Sequence, residues 1–248
     1  MPASTSSVTG RRRITILLFT VAAGSIDATV YLAARVFTAN MTGNAVLFGI
    51  AAGQGKARAV TNSVIALVAF TAGLVMGTVL VPRHGKSAKW TLVRNAVLVE
   101  AALLALFAAM FLNPAGPATS LSSSLLVLIV IFSGLAMGLQ SAVVKRLNLP
   151  GIATTYITGT MTSLVSGLIH HWRHQPESET EYEERREAWH GMRLQAEVFL
   201  TYALAAVACG AFYLRWPLAV ALIPVLAIAL VTAYMFVRHY QLDATQAE

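Results

Sequence analysis

The chain has 248 residues, of which 56% are hydrophobic and only 12% are charged, and its mean hydropathy is +0.66. Because soluble domains usually carry about 25% charged residues, this composition argues against a soluble enzyme. The net charge of +7 would suit nucleic-acid binding in a soluble protein, but here the basic residues stand between apolar runs. We therefore expect them to face an anionic lipid leaflet, and we expect no nucleic-acid partner.

Eight apolar stretches follow one another along the chain: 14–34, 36–53, 60–81, 90–112, 123–144, 152–170, 192–214 and 218–237. Six of them are long and apolar enough to cross a bilayer, which needs about 20 residues. The second and sixth are rich in Thr, Asn, Ser and Gly, which is typical of segments buried in protein or lining water. The sequence predicts an all-α integral membrane protein with six spanning helices and two Thr/Gly-rich re-entrant or broken helices. Eight spanning helices are the alternative.

The distribution of positive charge favours the six-span arrangement. If the second and sixth stretches do not cross, 14 of the 18 Lys and Arg residues fall on the side of the N-terminus. If all eight stretches cross, that side holds only 10 of the 18. Since cytoplasmic loops carry the excess of Lys and Arg, we predict a single membrane domain, 14–238, with its N-terminus in the cytoplasm. Residues 1–13 are predicted to be a disordered basic tail and 239–248 a C-terminal tail.

A weak internal repeat runs through the membrane domain. Residues 24–28 and 138–142 share a Gly-x-x-Asp/Ser-Ala pattern, and the Thr-Gly pair at 42–43 is matched by Thr-Gly at 158–159. This predicts two related halves, 14–112 and 123–237, which have opposite orientation if each crosses the membrane three times. Inverted halves with interrupted helices at corresponding positions are typical of secondary transporters. If the second and sixth stretches cross, the halves are parallel instead.

Two acidic residues lie deep within the predicted spans. Asp27 is near the middle of the first span, where a charge is costly and is by default functional. We interpret it as a proton-carrying or cation-binding group, and the alternative is a structural hydrogen bond to a helix end or a neighbouring threonine. Glu100 lies centrally in the fourth apolar stretch, 90–112, and could pair with Asp27 or with Arg94, either in a fixed ion pair or in a proton relay.

Polar residues of the two Thr-Gly stretches are the other candidates for binding a solute or an ion. At a broken helix, such groups can bind a cation through carbonyls or an anion through helix N-termini. The alternative is close helix packing through small residues, which we expect for the two Gly-x-x-x-Gly motifs that begin at Gly73 and Gly134. The candidates are Asn40, Thr42, Gly43 and Asn44 in the first half, and Thr158, Gly159 and Thr160 in the second.

The polar segment 171–191 interrupts the apolar pattern with six glutamates and several arginines. It predicts a solvated cytoplasmic helix or hairpin, acting as a linker or as a docking surface. His170 and His174 are four residues apart and could share a metal on one helix face, but no acid or cysteine completes a ligand set. We expect no metal and no cofactor. Nucleotide-binding loops and nucleophile elbows are absent from the sequence, so neither an enzyme nor an ATP-driven pump is expected.

The residues 24–31 and 37–44, followed by 154–160, resemble the YoaK-type family of uncharacterised bacterial multi-pass membrane proteins. The most specific element is the run Ala-Asn-Met-Thr-Gly-Asn at 39–44. The resemblance implies an inner-membrane helical bundle and supplies no substrate.

The function predicted from the residues is a small secondary transporter or permease, coupled to protons through Asp27, for an unknown small solute or ion. A passive channel and a membrane-embedded structural or sensory subunit are the alternatives. The partners expected are the lipid bilayer and, as one option, a second copy of the chain.

Overall fold

The structure is a computed structural model that describes residues 5–81, 89–112, 123–146, 157–173 and 179–246. All regular structure in these ranges is helical, so the predicted all-α fold is confirmed. The eight α-helices are α1 (Thr5–Ala34), α2 (Met41–Gly53), α3 (Ala57–Leu80), α4 (Lys89–Phe111), α5 (Ser123–Arg146), α6 (Ile157–Arg173), α7 (Glu179–Arg215) and α8 (Leu222–Gln246). A short 3-10 turn at Ala219–Ala221 precedes α8.

Six of the described helices are long and apolar enough to cross a membrane, namely α1, α3, α4, α5, α7 and α8. The two remaining helices correspond to the two polar stretches of the sequence. Helix α2 has 13 residues, and at 1.5 Å per residue it reaches only about 20 Å, less than the roughly 30 Å of a hydrocarbon core. Helix α6 has 17 residues and a polar first turn.

Helices α1 and α7 pack side by side and run in the same direction. Arg13, at the start of the α1 span, forms an ion pair with Glu197 of α7. Further along both helices, Thr29 donates a hydrogen bond to the sulfur of Cys209, with an Oγ1–Sγ distance of 3.9 Å. Because residues later in α1 contact residues later in α7, the two helices are parallel.

Helices α3 and α5 form the closest helix pair, and glycines make the close approach possible. A Cβ atom added at Gly73 would lie 2.1 Å from the carbonyl oxygen of Leu135, and one added at Gly138 would lie 2.0 Å from that of Phe70. The two Gly-x-x-x-Gly motifs therefore face each other, as expected for motifs that let helix backbones touch. Their packing role is confirmed, and this pair of helices is parallel as well.

Helices α4 and α8 run in opposite directions. The guanidinium of Arg94 lies 5.5 Å from the centre of the Phe236 ring. Arg94 is in the second turn of α4, whereas Phe236 is next to the last residue of the α8 span, Ala219–Val237. The beginning of one span therefore lies beside the end of the other.

Two of these orientations, α1 with α7 and α4 with α8, limit which helices can cross the membrane. Successive crossings alternate in direction, so antiparallel α4 and α8 require an even number of crossings between them. Since α5 and α7 both cross, α6 does not. Parallel α1 and α7 require an odd number of crossings between them, and α3, α4 and α5 supply three, so α2 does not cross either. The six-span arrangement satisfies both conditions, and the eight-span alternative does not.

The helices extend further than the sequence predicts at both termini. Helix α1 begins at Thr5 and α8 ends at Gln246, so most of the predicted tails continues a helix. The physical reason is that adding a residue to an existing helix is much easier than starting one, and arginine is a good helix former.

The polar segment 171–191 joins α6 to α7. The ring centres of His171 and Trp189 are 5.0 Å apart, and a Cβ at Gly167 would meet the sulfur of Met192 at 2.6 Å. Helices α6 and α7 are therefore antiparallel. The part of the segment from Glu179 onward forms the first turns of the 37-residue helix α7. This agrees with the prediction of a helix there. Residues 174–178 lie outside the described ranges.

Candidate functional site

Helix α1 ends with a residue in a left-handed conformation. Arg35 follows Ala34 with a φ of 59°, which stops the right-handed helix. Residues 35–40 then form a loop that turns back along α1 toward Asp27. Asp27 lies seven residues before Ala34, or about 10 Å along the helix axis. The chain between α1 and α2 therefore re-enters the bundle instead of remaining at its surface.

The side chain of Asp27 is the centre of this loop. One carboxylate oxygen, Oδ1, accepts hydrogen bonds from the backbone N–H groups of Thr38 at 2.7 Å and Ala39 at 2.6 Å. The other, Oδ2, accepts from the backbone N–H of Asn40 at 3.0 Å and from the hydroxyl of Tyr202 on α7 at 2.5 Å. Only 2% of Asp27 is exposed. Four donors thus hold a buried carboxylate, and we call this arrangement the Asp27 clamp.

Two asparagines complete the connection between the loop and α2. Asn44 pairs with the backbone of Phe37, donating to its carbonyl oxygen at 2.7 Å and accepting from its N–H at 2.9 Å. Asn40 caps α2 by accepting the N–H of Gly43 at 3.2 Å, the usual role of asparagine at the start of a helix. Both amides therefore fix the loop on the first turn of α2.

Aromatic packing explains why residue 43 is a glycine. The rings of Tyr31 and Phe37 stack with their centres 4.8 Å apart, and the guanidinium of Arg35 lies 5.7 Å from the centre of the Tyr31 ring. A Cβ at Gly43 would meet the Phe37 ring at 2.8 Å. A larger residue at this position would push the aromatic ring away from Tyr31.

Comparison with known proteins matches the whole membrane region to one family. The model of the family described as "Protein of unknown function (DUF1275)" matches residues 15–235. The chain belongs to this family. It is also similar to the UPF0700 transmembrane protein YoaK of Bacillus subtilis (strain 168), with 33% identity over 158 residues, which is 63% of this chain and 67% of that relative. No solved structure matches the chain at a significant level.

The Ala-Asn-Met-Thr-Gly-Asn run, by which the sequence resembles this family, has a local structural role in this DUF1275 protein. Ala39 and Asn40 bring N–H groups to Asp27, and Asn40 caps α2. Gly43 makes room for Phe37, and Asn44 pairs with the Phe37 backbone. Thr42 is exposed on the first turn of α2. The run therefore joins the α1–α2 loop to the first turn of α2, where the chain becomes helical again after the break at Arg35.

The clamp places a carboxylate where a broken helix would otherwise attract an anion. The N-terminus of a helix presents unpaired N–H groups and the positive end of its dipole, and so favours a negative group. Here the chain supplies that group itself, through Asp27. The alternative interpretation of Asp27 is a structural hydrogen bond, and the clamp is a specific arrangement of this kind. The side chain of Asp27 ties the α1–α2 loop to α1 and, through Tyr202, to α7.

The remaining predicted residues lie apart from the clamp. Glu100 is on α4, fully buried, and neither of the predicted pairings with Asp27 or Arg94 is formed. Gly159 is exposed on the first turn of α6, and the side chains of Thr158 and Thr160 lie outside the part that the structure describes. Helix α2 packs on α3 whereas α6 packs on α7, so the described residues of the two Thr-Gly motifs do not form one cluster.

Two residues of α7 that matter here are not predicted from the sequence. Tyr202 is one of two tyrosines in the apolar stretch 192–214, and nothing in its spacing connects it with Asp27. Glu197 is the partner of Arg13 and Arg193 and lies near the start of the apolar stretch 192–214. An acid at the start of an apolar stretch, opposite the Arg11–Arg13 cluster, is the one signal that could have indicated that ion pair.

Proposed function

We propose that this protein is a small secondary transporter of the bacterial cytoplasmic membrane. The observation that carries the proposal is the interruption between α1 and α2 at Asp27, because the α1–α2 loop lies within the bundle, beside a buried carboxylate. Interrupted helices near the bilayer centre are the common element of transporter binding sites. Backbone groups of a broken helix can also change partners when helices move, which a continuous helix does not permit.

The pairing of helices supports the two related halves inferred from the sequence. Helix α1 packs on α7, and correspondingly α5 packs on α3. Helix α2 packs on α3, and correspondingly α6 packs on α7. Helix α4 packs on α5, and correspondingly α8 packs on α1. Exchanging the set α1–α4 with the set α5–α8 leaves this pattern unchanged. Each half has three crossings, so related halves would have opposite orientation, the arrangement that underlies alternating access in many transporters.

In this proposal the Asp27 clamp holds one conformation in place. Its four hydrogen bonds join α1, the loop and α7, so a movement of the loop relative to α7 has to break some of them. The protein's two halves could rock against each other when a solute or a proton replaces these donors. Four donors stabilise the carboxylate as it stands, which favours a holding role for Asp27 over the proton-carrying role that the sequence suggested.

The orientation in the membrane follows from charge. With six crossings, the side where α1 begins carries 14 of the 18 Lys and Arg residues, and the positive-inside rule assigns that side to the cytoplasm. The N-terminal turns of α7, which begin with Glu179 and lie beyond the Arg13–Glu197 ion pair, would then project into the cytoplasm.

Proteoliposomes that contain the full chain and an internal pH indicator test the proposal. Amino acids, monocarboxylates, sugars and monovalent cations are added outside, one class at a time. A proton-coupled transporter is expected to give a change of internal pH that is selective for one class and saturates with its concentration. Protein-free liposomes of the same lipid provide the baseline.

Other outcomes of this assay separate the alternatives. A response that rises linearly with concentration and does not discriminate among solutes would indicate a passive channel. The absence of any response to all four classes would contradict proton-coupled transport. It would favour a structural or sensory subunit, for which the helical segment beginning at Glu179 is the candidate docking surface.

A further inference from the structure

Glu100 has an environment unlike that of any other acid in the described part of the chain. It stands midway along α4, Lys89–Phe111, and its exposed fraction is 0%. Neither of its carboxylate oxygens has a hydrogen-bond partner among the described residues. Asp27, the other acid at comparable depth, has four.

The described side chains of the helices packed around α4 offer Glu100 no compensating charge. Helix α4 packs mainly on α5 and α8 and lightly on α3. Arg94 lies six residues away on the same helix, and its guanidinium is over Phe236 on α8. Tyr234 of α8 has a buried hydroxyl that lacks a partner among the described residues. The other charged or titratable groups on these helices stand toward their ends: Arg58, Lys89, Lys145, Arg146, Arg238, His239, Tyr240 and Asp243.

A carboxylate in this position would be an unpaired charge in the middle of a membrane. Burying an ion without a partner or hydrogen-bond donors is strongly unfavourable, whereas a neutral carboxylic acid is far less so. A bound divalent cation is a poor explanation, because hard cations take six or more oxygen ligands and the described residues contain no group of three or more His, Cys, Asp or Glu side chains that could hold a metal ion.

We propose that Glu100 is a proton-binding site in the membrane, separate from the Asp27 clamp. In the conformation described here its carboxylate has accepted a proton and is a neutral acid. When the bundle rearranges and exposes Glu100 to water, the O–H bond breaks, the proton passes to a water molecule, and the carboxylate keeps the electron pair. The purpose of this exchange rests on the proposed transport function, but the binding of the proton does not.

Infrared difference spectroscopy of the full-length protein in lipid tests this site without a solute. The wild type is compared with Glu100→Gln, which keeps the shape of the side chain but cannot hold a proton. At neutral pH we expect the wild type to show the carbonyl stretch of one carboxylic acid per chain that Glu100→Gln lacks. This band should be lost as the pH is raised, and it should shift in heavy water.

A matched variant and the remaining outcomes make the test decisive. Asp27→Asn should remove a carboxylate band and leave the carboxylic-acid band in place. If Glu100→Gln also removed only a carboxylate band, Glu100 would be ionised and the proposal would be wrong. A carboxylic-acid band that persists at every pH would show a permanently neutral acid and would overturn proton exchange. Because no flux is measured, a proteoliposome assay without response would contradict proton-coupled transport and leave this result standing.

Discussion

Replacement of Asp27 by alanine is expected to cause one of the two largest losses of stability in the membrane domain. It removes the acceptor of four donors in a site that is only 2% exposed. Since each stranded buried donor costs about 1–3 kcal/mol, and such costs do not add fully, we expect a loss of about 4 kcal/mol. Thermal unfolding in lipid nanodiscs measures the loss, and hydrogen exchange locates it. The amides of Thr38, Ala39 and Asn40 should lose their protection.

A graded series separates the clamp from general damage to the bundle. Asp27→Asn keeps one acceptor oxygen but places an amide NH2 group against hydrogen-bond donors. Its loss of stability should therefore lie between zero and that of Asp27→Ala. Tyr202→Phe removes one donor only, and we expect about 1 kcal/mol. Thr78→Ala is the control, since the Thr78 hydroxyl is exposed and bonds to its own helix. Unchanged protection of the three loop amides in Asp27→Ala would show that the clamp does not hold the loop.

Gly138→Ala is expected to weaken the bundle by a different mechanism. The added Cβ would lie 2.0 Å from the Phe70 carbonyl oxygen and 2.7 Å from the Leu74 nitrogen. Both atoms belong to the backbone of α3, so no side chain can move aside and the two helices must separate. Overpacking in a well-packed interior costs about 1–3 kcal/mol and occasionally more. We expect the upper end of this range, measured as a lower unfolding temperature of the purified protein.

The same change elsewhere in the chain provides the control. Gly210 is on the apolar part of α7, and a Cβ there would meet no atom within 4 Å. Gly210→Ala should be neutral or slightly stabilising, because alanine is about 1 kcal/mol better than glycine in a helix. Equal unfolding temperatures for the two variants would contradict the close contact between α3 and α5.

Much of the fold follows from the sequence because a bilayer limits the possible structures. Backbone polar groups in hydrocarbon must be satisfied internally, so a run such as 60–81 becomes a helix whatever its neighbours are. The polar character of stretches 36–53 and 152–170 likewise indicates segments that do not cross. Close packing at Gly73 and Gly138 was predictable from spacing alone, but the fact that these two motifs meet each other was not.

The partners within the site were beyond the reach of sequence patterns. Asp27 and Glu100 look alike in the sequence, as single acids near the middle of apolar runs. They differ because a left-handed residue at Arg35 turns the loop toward Asp27, whereas no hydrogen-bond donor of the described residues reaches the carboxylate of Glu100. Which helix supplies Tyr202 depends on the packing of α1 against α7, and no short-range pattern encodes such a contact.

Single-cysteine accessibility in intact cells tests the central claim, that α2 and α6 do not cross the membrane, most directly. In a Cys209→Ser background, cysteines at Lys56 and at Lys145 are exposed to a membrane-impermeant thiol reagent in separate variants. With the N-terminus in the cytoplasm, six crossings place Lys56 outside and Lys145 inside, so we expect the cysteine at Lys56 alone to react. Reaction of the cysteine at Lys145 alone would mean eight crossings. The helix orientations and the two opposed halves described here would then be wrong.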